Sequence, residues 1–202
     1  MKCGESDERN VVYRESYTPE KFFRLLIPQP APAIIDVVAH FGESVTYLSS
    51  LFPDARIFSI EPDPESFAKL TQSLPEAARA FNLAIGARSG TATFYQYDKS
   101  HLNSLYAINK DSVDSLGYAQ KSSATSIDVR CATLDDFVAE AGIARERVSL
   151  LKIDAQGAEI DVLSGAQSMI HNVDNVTVEL TLYDFYGKKN NFLDVERLLP
   201  GF

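Results

Sequence analysis

Short apolar runs alternate with amphipathic stretches along this chain. The first run, Ala33–Val38, shows no alternation of polar and apolar residues, which is typical of a parallel strand covered by helices on both faces. Ala55–Ile60 and Val148–Asp154 have the same character, and a helix-forming stretch follows each of them. The pattern therefore predicts an α/β, Rossmann-like fold, in which helices flank a mainly parallel sheet.

The same pattern places the other elements. Thr18 is predicted to cap a lead-in helix over Tyr17–Ile27, with Pro19 at its first position. Thr91–Tyr97 alternates Thr, Phe and Tyr and is predicted to pair with Ile127–Ala132 as an extra β-hairpin after the third strand. The remaining predicted strands are Ala78–Ile85 and Asn175–Leu182, and the remaining predicted helices start near Glu43 and span Glu65–Leu74, Leu134–Ala141, Glu159–Ile170 and Phe192–Leu199.

The stretch His101–Ser126 separates the two strands of the extra pair. It is rich in Ser, Asn and Tyr and has little periodicity. Long surface segments of this kind often carry function. It is therefore predicted to be a lid or a wall of the substrate site.

The turn after the first strand is the predicted ligand site. In open α/β sheets ligands bind outside the carboxyl ends of the strands, and Asp36 and Gly42 lie there, before the N-terminus of a helix. Glu61 follows the second strand, beside Pro62 and Pro64. An acidic side chain at this place can accept hydrogen bonds from two ribose hydroxyls. A ribose-bearing ligand is therefore expected.

The glycines of this turn narrow the choice of ligand. A pyrophosphate-binding turn needs glycines at three fixed places in G-x-G-x-x-G, whereas this turn has only Gly42. A nucleoside without phosphates, such as S-adenosylmethionine, demands less of the loop, and Asp36 would then face its ammonium group. A nicotinamide-dependent oxidoreductase is accordingly a less favoured alternative.

Several blocks of the sequence resemble a known family. Asp36–Gly42 is similar to the D-x-G-x-x-x-G turn of class I S-adenosylmethionine-dependent methyltransferases. The resemblance covers Ala33–Tyr183 and implies the class I methyltransferase fold, S-adenosylmethionine as cofactor, and methyl transfer to a hydroxyl oxygen of a sugar or secondary metabolite. The blocks that resemble the FkbM methyltransferase family, in this order, are Asn82–Gly86, Ser89–Tyr95, Thr133–Phe137 and Leu151–Glu159.

The resemblance also assigns roles to individual residues. Asp154 and Glu159, in the block that matches D-x-E-G-x-E, are the catalytic candidates, because a carboxylate beside the acceptor can orient a hydroxyl and take its proton. Asn82 and Ala84 would line the adenine pocket, and His40 would pack against the cofactor. No metal ion is expected. The residues expected to contact the cofactor are Asp36, Val38, His40, Gly42, Glu61, Pro62, Asn82, Ala84, Asn103 and Ser104.

Structural alternatives stay open for the acidic residues. Asp36 can cap the backbone of the turn, as aspartate often does. Glu61 can be a solvated loop charge. Glu159 can be an acid in the first turn of a helix, where it interacts favourably with the helix dipole.

Two positions depart from the pattern of the family. Val38 replaces a glycine and adds a branched side chain where the cofactor approaches the backbone. Gln156 replaces a glutamate and, being neutral, cannot serve as a base. The main alternative function is therefore a non-catalytic or cofactor-weak relative that acts as a binding or assembly module.

Composition and charge are those of one ordinary domain. The chain has 202 residues, 45% hydrophobic and 23% charged, so residues 1–32 are interpreted as a lead-in and residues 33–202 as a single core. The net charge of -9 argues against binding to nucleic acid or anionic membranes. Cys3 and Cys131 lie far apart and form no metal-ligand pair, and the polar N-terminus is no signal peptide. A cytoplasmic protein that acts on a small molecule is expected.

The sequence stops soon after its last predicted helix. A class I methyltransferase sheet normally continues with an antiparallel strand pair, which is therefore expected to be missing. Asn175–Leu182 would then be an exposed edge strand, and such an edge invites association. Self-association through this edge is expected.

Overall fold

The computed structural model describes residues 18–112, 117, 121–180, 184–187, 192–199 and 201. Its strands are β1 (Ala33–Val37), β2 (Arg56–Ile60), β3 (Ala78–Phe81), β4 (Ala84–Ile85), β5 (Gly90–Tyr97), β6 (Ala124–Ala132), β7 (Leu150–Ile153) and β8 (Val176–Val178). Its helices are α1 (Pro19–Leu26), α2 (Glu43–Leu51), α3 (Pro64–Gln72), α4 (Leu134–Glu140), α5 (Glu159–Ser164) and α6 (Phe192–Leu198), with 3₁₀ turns at Ser100–Leu102 and Met169–Asn172.

The main sheet has the strand order β3-β2-β1-β7-β8, and its strands are parallel. Every residue of β1 is buried, because successive side chains point to opposite faces and both faces are covered. Ile34 packs in a cluster with α2, whereas Ile35 packs in a second cluster with α4 and α5. The predicted α/β fold with a mainly parallel sheet is confirmed. The strand order reverses between β1 and β7, which opens a crevice at their carboxyl ends.

A second, smaller sheet has the strand order β4-β6-β5. β5 and β6 run antiparallel from Gly90 opposite Cys131 to Tyr97 opposite Ala124, which confirms the predicted pairing. A long segment joins the two strands, and its 3₁₀ turn at Ser100–Leu102 starts close to the end of β5. The pair is therefore a long-looped antiparallel pair and not a tight hairpin.

The prediction of one third strand over Ala78–Ile85 was wrong, because this stretch forms two strands in different sheets. β3 pairs with β2, and β4 pairs with β6. The break occurs at Asn82, whose side-chain amide donates to the carbonyls of Glu61 and Pro62 at 2.8 and 3.2 Å. These bonds hold Asn82 to the loop after β2 and leave the chain free to enter the second sheet.

Helix α5 is shorter than predicted, because it ends at Ser164 and not at Ile170. The chain leaves the helix at Gly165, where an added Cβ would lie 2.3 Å from the carbonyl oxygen of Gly86. Only a glycine fits against that carbonyl. Beyond it the chain forms a separate 3₁₀ turn at Met169–Asn172.

In the part of the chain that the structure describes, β8 is the last strand on its side of the main sheet. It covers Val176–Val178, and the last part of the predicted Asn175–Leu182 lies outside the described residues. Among the described residues, β8 pairs with β7 and with no other strand. The helices of the described ranges include none that is long and apolar enough to cross a bilayer.

The start of α1 agrees with its predicted cap, and a second threonine caps α4 in the same way. The hydroxyl of Thr18 accepts the backbone N–H of Lys21 at 3.4 Å, with Pro19 opening α1. The hydroxyl of Thr133 accepts the N–H of Asp136 at 3.0 Å at the start of α4. Both threonines satisfy a backbone donor that the helix itself leaves without an acceptor.

Candidate functional site

A cavity of about 220 Å³ lies at the carboxyl ends of β1, β2 and β7. Its walls come from the turn after β1, the start of α2 and the segment after β5. This is the reversal point of the main sheet, where open α/β sheets bind their ligands. The cavity is lined by Val38, Ala39, His40, Glu43, Ser44, Glu61, Phe94, Ser100, His101, Asn103, Lys152, Asp154 and Gln156.

The turn after β1 adopts backbone conformations that side chains rarely take. The φ angle is +65° at Val38, +51° at His40 and +95° at Gly42. Positive φ is ordinary for glycine but unfavourable for valine, because its branched side chain crowds the backbone. Strain of this kind collects at functional sites, and here it lies at the predicted ligand turn.

Glu61 follows β2 directly and is only 2% exposed, yet its side chain lines the cavity. One carboxylate oxygen accepts the backbone N–H of His40 at 2.8 Å, and the other accepts that of Asp63 at 2.9 Å. Burial raises the pKa of Glu61 to about 8, although these two hydrogen bonds oppose the rise. Each oxygen has a second lone pair, so the group can still accept hydroxyl donors from a ligand.

Asp36 lies beneath the cavity and is completely buried. Its carboxylate accepts from Lys152 Nζ at 2.9 Å and from the hydroxyl of Ser44. Burial lowers the pKa of Lys152, but the negative charges of Asp36 and Asp154 outweigh it and raise the pKa above its ordinary value. Lys152 is therefore a cation at neutral pH, and it separates Asp36 from the cavity together with Ser44.

His40 connects the turn after β1 to the segment after β5. Its Nε2 lies 2.8 Å from the hydroxyl oxygen of Ser100, and its Nδ1 lies 3.5 Å from a carboxylate oxygen of Glu43. The ring also stacks on Phe41, with 3.7 Å between centroids. The segment after β5 contributes Ser100, His101 and Asn103 to the cavity lining, and the last two belong to His101–Ser126, the predicted lid or substrate wall.

Asp154 follows β7, and its side chain is 29% exposed in the cavity wall. Its Oδ1 accepts the side-chain amide of Gln156 at 2.8 Å, and its Oδ2 lies 3.9 Å from Lys152 Nζ. The amide oxygen of Gln156 accepts the hydroxyl of Tyr186 at 2.9 Å, and its backbone carbonyl accepts the hydroxyl of Ser104 at 2.6 Å. Gln156 is therefore fixed by two hydroxyl groups and in turn orients Asp154.

Glu159 lies behind this wall and does not line the cavity. It is 3% exposed, and its two carboxylate oxygens accept the N–H of Gly157 at 3.0 and 3.1 Å. Burial raises the pKa of Glu159, and the charge of Asp154 adds to the rise. These contacts agree with the alternative interpretation of Glu159 as a structural residue. It is an acid in the first turn of α5 that stabilises the preceding turn.

The structure brings only part of the predicted site together. Five of the predicted site residues line the cavity, namely Val38, His40, Glu61, Asn103 and Asp154. The others support it from behind or lie beside it. They are Asp36, Gly42, Pro62, Asn82, Ala84, Ser104 and Glu159.

Some residues of the cavity were not singled out from the sequence. Lys152 is the most consequential of them, because it places a cation between Asp36 and Asp154. The sequence could have indicated this, because Lys152 lies two positions before Asp154 and side chains two positions apart in a strand share a face. The other cavity residues without a predicted role are Ala39, Glu43, Ser44, Phe94, Ser100 and His101, and only the tertiary structure places those from β5 and beyond.

The cavity suits a small polar ligand that carries both a positively and a negatively charged group. Lys152 offers a cation, Glu61 offers hydrogen-bond acceptors at the other side of the turn, and Asp154 is a carboxylate that solvent and ligand can reach. A carboxylate in this position can accept a proton from a bound hydroxyl group.

Comparison with known proteins gives a family match and several relatives. The model of the methyltransferase FkbM domain matches residues 36–202. The chain is 26% identical over 185 residues to the 2-O-methyltransferase NoeI of Sinorhizobium fredii, an alignment that covers 88% of this chain and 74% of NoeI. It is 23% identical over 146 residues to the hexuronic acid methyltransferase AglP of Haloferax volcanii, covering 72% of this chain and 56% of AglP.

A solved structure shares the fold. The crystal structure of a methyltransferase FkbM from Methylobacillus flagellatus matches with a TM-score of 0.54 and 15% identity. The match covers 84% of this chain but 37% of that chain. The chain therefore spans just over a third of that solved protein and just over half of AglP.

Proposed function

This chain belongs to the methyltransferase FkbM domain family, and from that premise we propose that it is an S-adenosylmethionine-dependent O-methyltransferase. Its acceptor is a hydroxyl group of a sugar or secondary metabolite. When bound, the cofactor supplies an electrophilic methyl group on a positively charged sulfur. The protein contributes chiefly by holding the acceptor oxygen in line with that methyl group.

The observation that carries the proposal is the position of Glu61. Its carboxylate lies at the tip of β2, is held by the N–H groups of His40 and Asp63, and still faces the cavity. Free lone pairs on a fixed carboxylate fit the paired hydroxyls of a ribose. Lys152 would face the carboxylate of the cofactor, and Asp154 would supply negative charge for its ammonium group. The donor set of the cavity therefore fits this cofactor.

An acceptor hydroxyl is supported by both the site and the relatives. Asp154 is a partly exposed carboxylate of the cavity wall that directly follows β7, so it is placed to orient a hydroxyl. NoeI is a 2-O-methyltransferase, and AglP acts on a hexuronic acid. The first name supports transfer to oxygen, and the second supports a sugar-like acceptor.

Isothermal titration with S-adenosylmethionine and with S-adenosylhomocysteine tests the proposal. Wild type should bind both, and Glu61→Gln should weaken binding by about 1–3 kcal/mol, the loss expected for charge-assisted hydrogen bonds. Glutamine is preferred to alanine here, because it keeps one acceptor oxygen for the N–H groups of His40 and Asp63, whereas alanine would leave both without an acceptor. Glu76→Gln, an exposed residue before β3, is the matched control. A folded wild type that binds neither ligand refutes the proposal.

A specific observation favours a second candidate, a cofactor-weak relative that acts as a binding module. Val38 projects a branched side chain into the cavity from a strained turn, and Gln156 presents a neutral amide beside Asp154. Val38→Gly combined with Gln156→Glu distinguishes the two candidates. A double variant that gains binding and methylation absent from wild type supports the second candidate, whereas turnover by wild type excludes it.

A further inference from the structure

A second cavity, of about 350 Å³, adjoins the candidate site and has no part in the proposed function. Ser100 and Asn103 line both cavities. The other walls of the second cavity come from Phe41, the start of α3 and the ends of β5 and β6. Because the two cavities share walls, a ligand bound in the first can extend into the second.

The first cavity is small for its proposed contents. It measures about 220 Å³, whereas sites for drug-sized ligands usually measure about 300–1,000 Å³. S-adenosylmethionine is itself a ligand of that size. The first cavity therefore leaves room for the reacting unit of an acceptor, and a larger acceptor has to continue beyond it.

Asn103 lies at the junction of the two cavities and has free donors. Its side chain is buried, and its Oδ1 accepts the backbone N–H of Tyr97 at 2.8 Å. Because that N–H can only donate, the atom it contacts is the oxygen, and Nδ2 is left over. Within the described ranges Nδ2 has no acceptor, and it is not one of the fully enclosed atoms that lack a partner. Its two N–H groups are therefore available to a ligand.

The end of β5 adds groups that accept hydrogen bonds. Gln96 donates its side-chain amide to Asp63 at 2.5 Å, which leaves its amide oxygen free to accept. Asp98 is exposed, and its carboxylate contacts no donor among the described residues. A sugar hydroxyl both donates and accepts, so it can pair with each of these groups and with the donors of Asn103. A flat nucleobase would need more apolar walls than this cavity offers.

The charge of the second cavity selects among polar ligands. Lys69 pairs with Glu65 at 2.8 Å, so the carboxylates of Asp63 and Asp98 leave the lining with a net negative charge. Like charges that face each other disfavour binding. The second cavity therefore suits a neutral hydroxylated group and not an acidic one.

We propose that the second cavity is a subsite for a neutral sugar unit of the acceptor. Asn103 donates to the hydroxyls of that unit at the junction, and Gln96 and Asp98 accept from them. This inference rests on the proposed O-methyl transfer, and it narrows the acceptor to a saccharide of at least two units. The unit that is methylated occupies the first cavity, and its neighbour occupies the second.

NMR titration of the full chain, observed at the side-chain amides, tests the subsite. The probes are three neutral disaccharides, namely cellobiose, maltose and lactose, and cellobiouronic acid as the acidic counterpart of cellobiose. At least one neutral disaccharide should shift the amide resonances of both Asn103 and Gln96 at millimolar concentration. Cellobiouronic acid should shift them less than cellobiose does. If none of the neutral disaccharides shifts the two amides, the inference is overturned.

Two isosteric variants test the named contacts. Asn103→Asp keeps the oxygen that accepts the Tyr97 N–H but removes both amide donors, so disaccharide binding should weaken about tenfold. Asp98→Asn removes a negative charge, so the affinity for cellobiouronic acid should rise about threefold or more. Asn172→Asp, at an exposed position outside both cavities, is the matched control and should bind like wild type. Binding by Asn103→Asp equal to that of wild type would contradict the inference.

Titration with S-adenosylhomocysteine separates this inference from the proposed function. Asp98→Asn should leave the affinity for it within about twofold of wild type, because Asp98 lines only the second cavity. A chain that binds S-adenosylhomocysteine but no disaccharide would refute the subsite alone. A chain that binds neither form of the cofactor would refute methyl transfer and, with it, the acceptor role. Shifts of the Gln96 amide by S-adenosylhomocysteine as large as those by a disaccharide would assign the second cavity to the cofactor and overturn the inference.

Discussion

The ammonium group of Lys152 lies 2.9 Å from the carboxylate of Asp36, which is completely buried beneath the cavity. Lys152 also approaches Asp154 in the cavity wall, at 3.9 Å. One cation thus compensates a charge inside the protein and a charge at its ligand site. Stability and ligand binding are therefore linked through Lys152.

Removing this cation should destabilise the fold. Lys152→Met keeps the length of the side chain but leaves the carboxylate of Asp36 buried without its cation, which should cost roughly 3 kcal/mol. Urea denaturation at pH 7 measures the loss. Asp36→Asn combined with Lys152→Met should recover about half of it or more, because the buried charge is gone. A single variant as stable as wild type would show that Ser44 alone suffices for Asp36.

Glycine should be tolerated at position 38 and not at position 37. Val38 has φ of +65°, so Val38→Gly relieves backbone strain that offsets the flexibility glycine adds to the unfolded chain. Its free energy of unfolding should stay equal to that of wild type or rise by up to about 1 kcal/mol. Val37→Gly, at a fully buried strand position, should lose about 3 kcal/mol or more. Equal losses in the two variants would contradict the strain at Val38.

The buried carboxyl group of Glu61 should make folding stability depend on pH. Its pKa is about 8 in the folded chain against 4.5 for the ordinary group, so the folded chain holds one more proton between these values. The contribution of Glu61 to stability is therefore complete below about pH 4.5 and is lost as pH rises toward 8, at up to about 1.4 kcal/mol per pH unit.

Urea denaturation between pH 5 and 8 of wild type and Glu61→Gln measures this contribution, because the variant lacks the titrating group. The difference in unfolding free energy between the two should shift in favour of Glu61→Gln as pH rises. Glu76→Gln should follow wild type throughout. Parallel curves for wild type and Glu61→Gln would show that the Glu61 carboxyl group titrates normally.

The same group should couple cofactor binding to proton release. Ribose hydroxyls donate to the ionised form of Glu61. In the protein without cofactor, burial keeps the Glu61 carboxyl group protonated up to about pH 8. Affinity for S-adenosylhomocysteine should therefore rise by up to about tenfold per pH unit below that pH. Calorimetry in buffers of different ionisation enthalpy should detect the released proton in wild type and none in Glu61→Gln. Release of equal size in both proteins would assign the proton to another group.

An added methyl group at Gly165 should disturb the packing of α5 against the second sheet. A Cβ there would lie 2.3 Å from the carbonyl oxygen of Gly86, and backbone cannot yield as a flexible side chain does. Gly165→Ala should cost about 3 kcal/mol in thermal or urea denaturation. Gly187→Ala is the matched control, since its nearest neighbour would be 3.8 Å away, and it should be close to neutral.

Sequence patterns predicted the parts of this fold that depend on local chemistry. The apolar run Ala33–Val38 indicated a strand buried on both faces, and Thr18 indicated the start of α1, because burial and capping act within a few residues. The division of Ala78–Ile85 between two sheets depends on hydrogen bonds from Asn82 to another loop. No local pattern contains those bonds.

The residues of the candidate site also divide into those that the local sequence predicts and those that only the tertiary structure places. Glu61 and Asp154 were predictable because each follows a strand at the edge where ligands bind. Glu159 opens α5 and turns back onto the N–H of Gly157, and Lys152 meets Asp36 only through the pairing of β1 with β7. The direction of a carboxylate at a turn, and its neighbour across a sheet, are set by tertiary contacts.

The left-handed backbone at Val38 has a consequence for the gene. Every valine codon becomes a glycine codon through one change at its second base, so the residue that this conformation favours is a single nucleotide away. The main chain adopts this bend even though a valine side chain does not suit it. Spontaneous mutation alone can therefore supply the glycine form without any rebuilding of the loop, and a library of single-base variants would contain it.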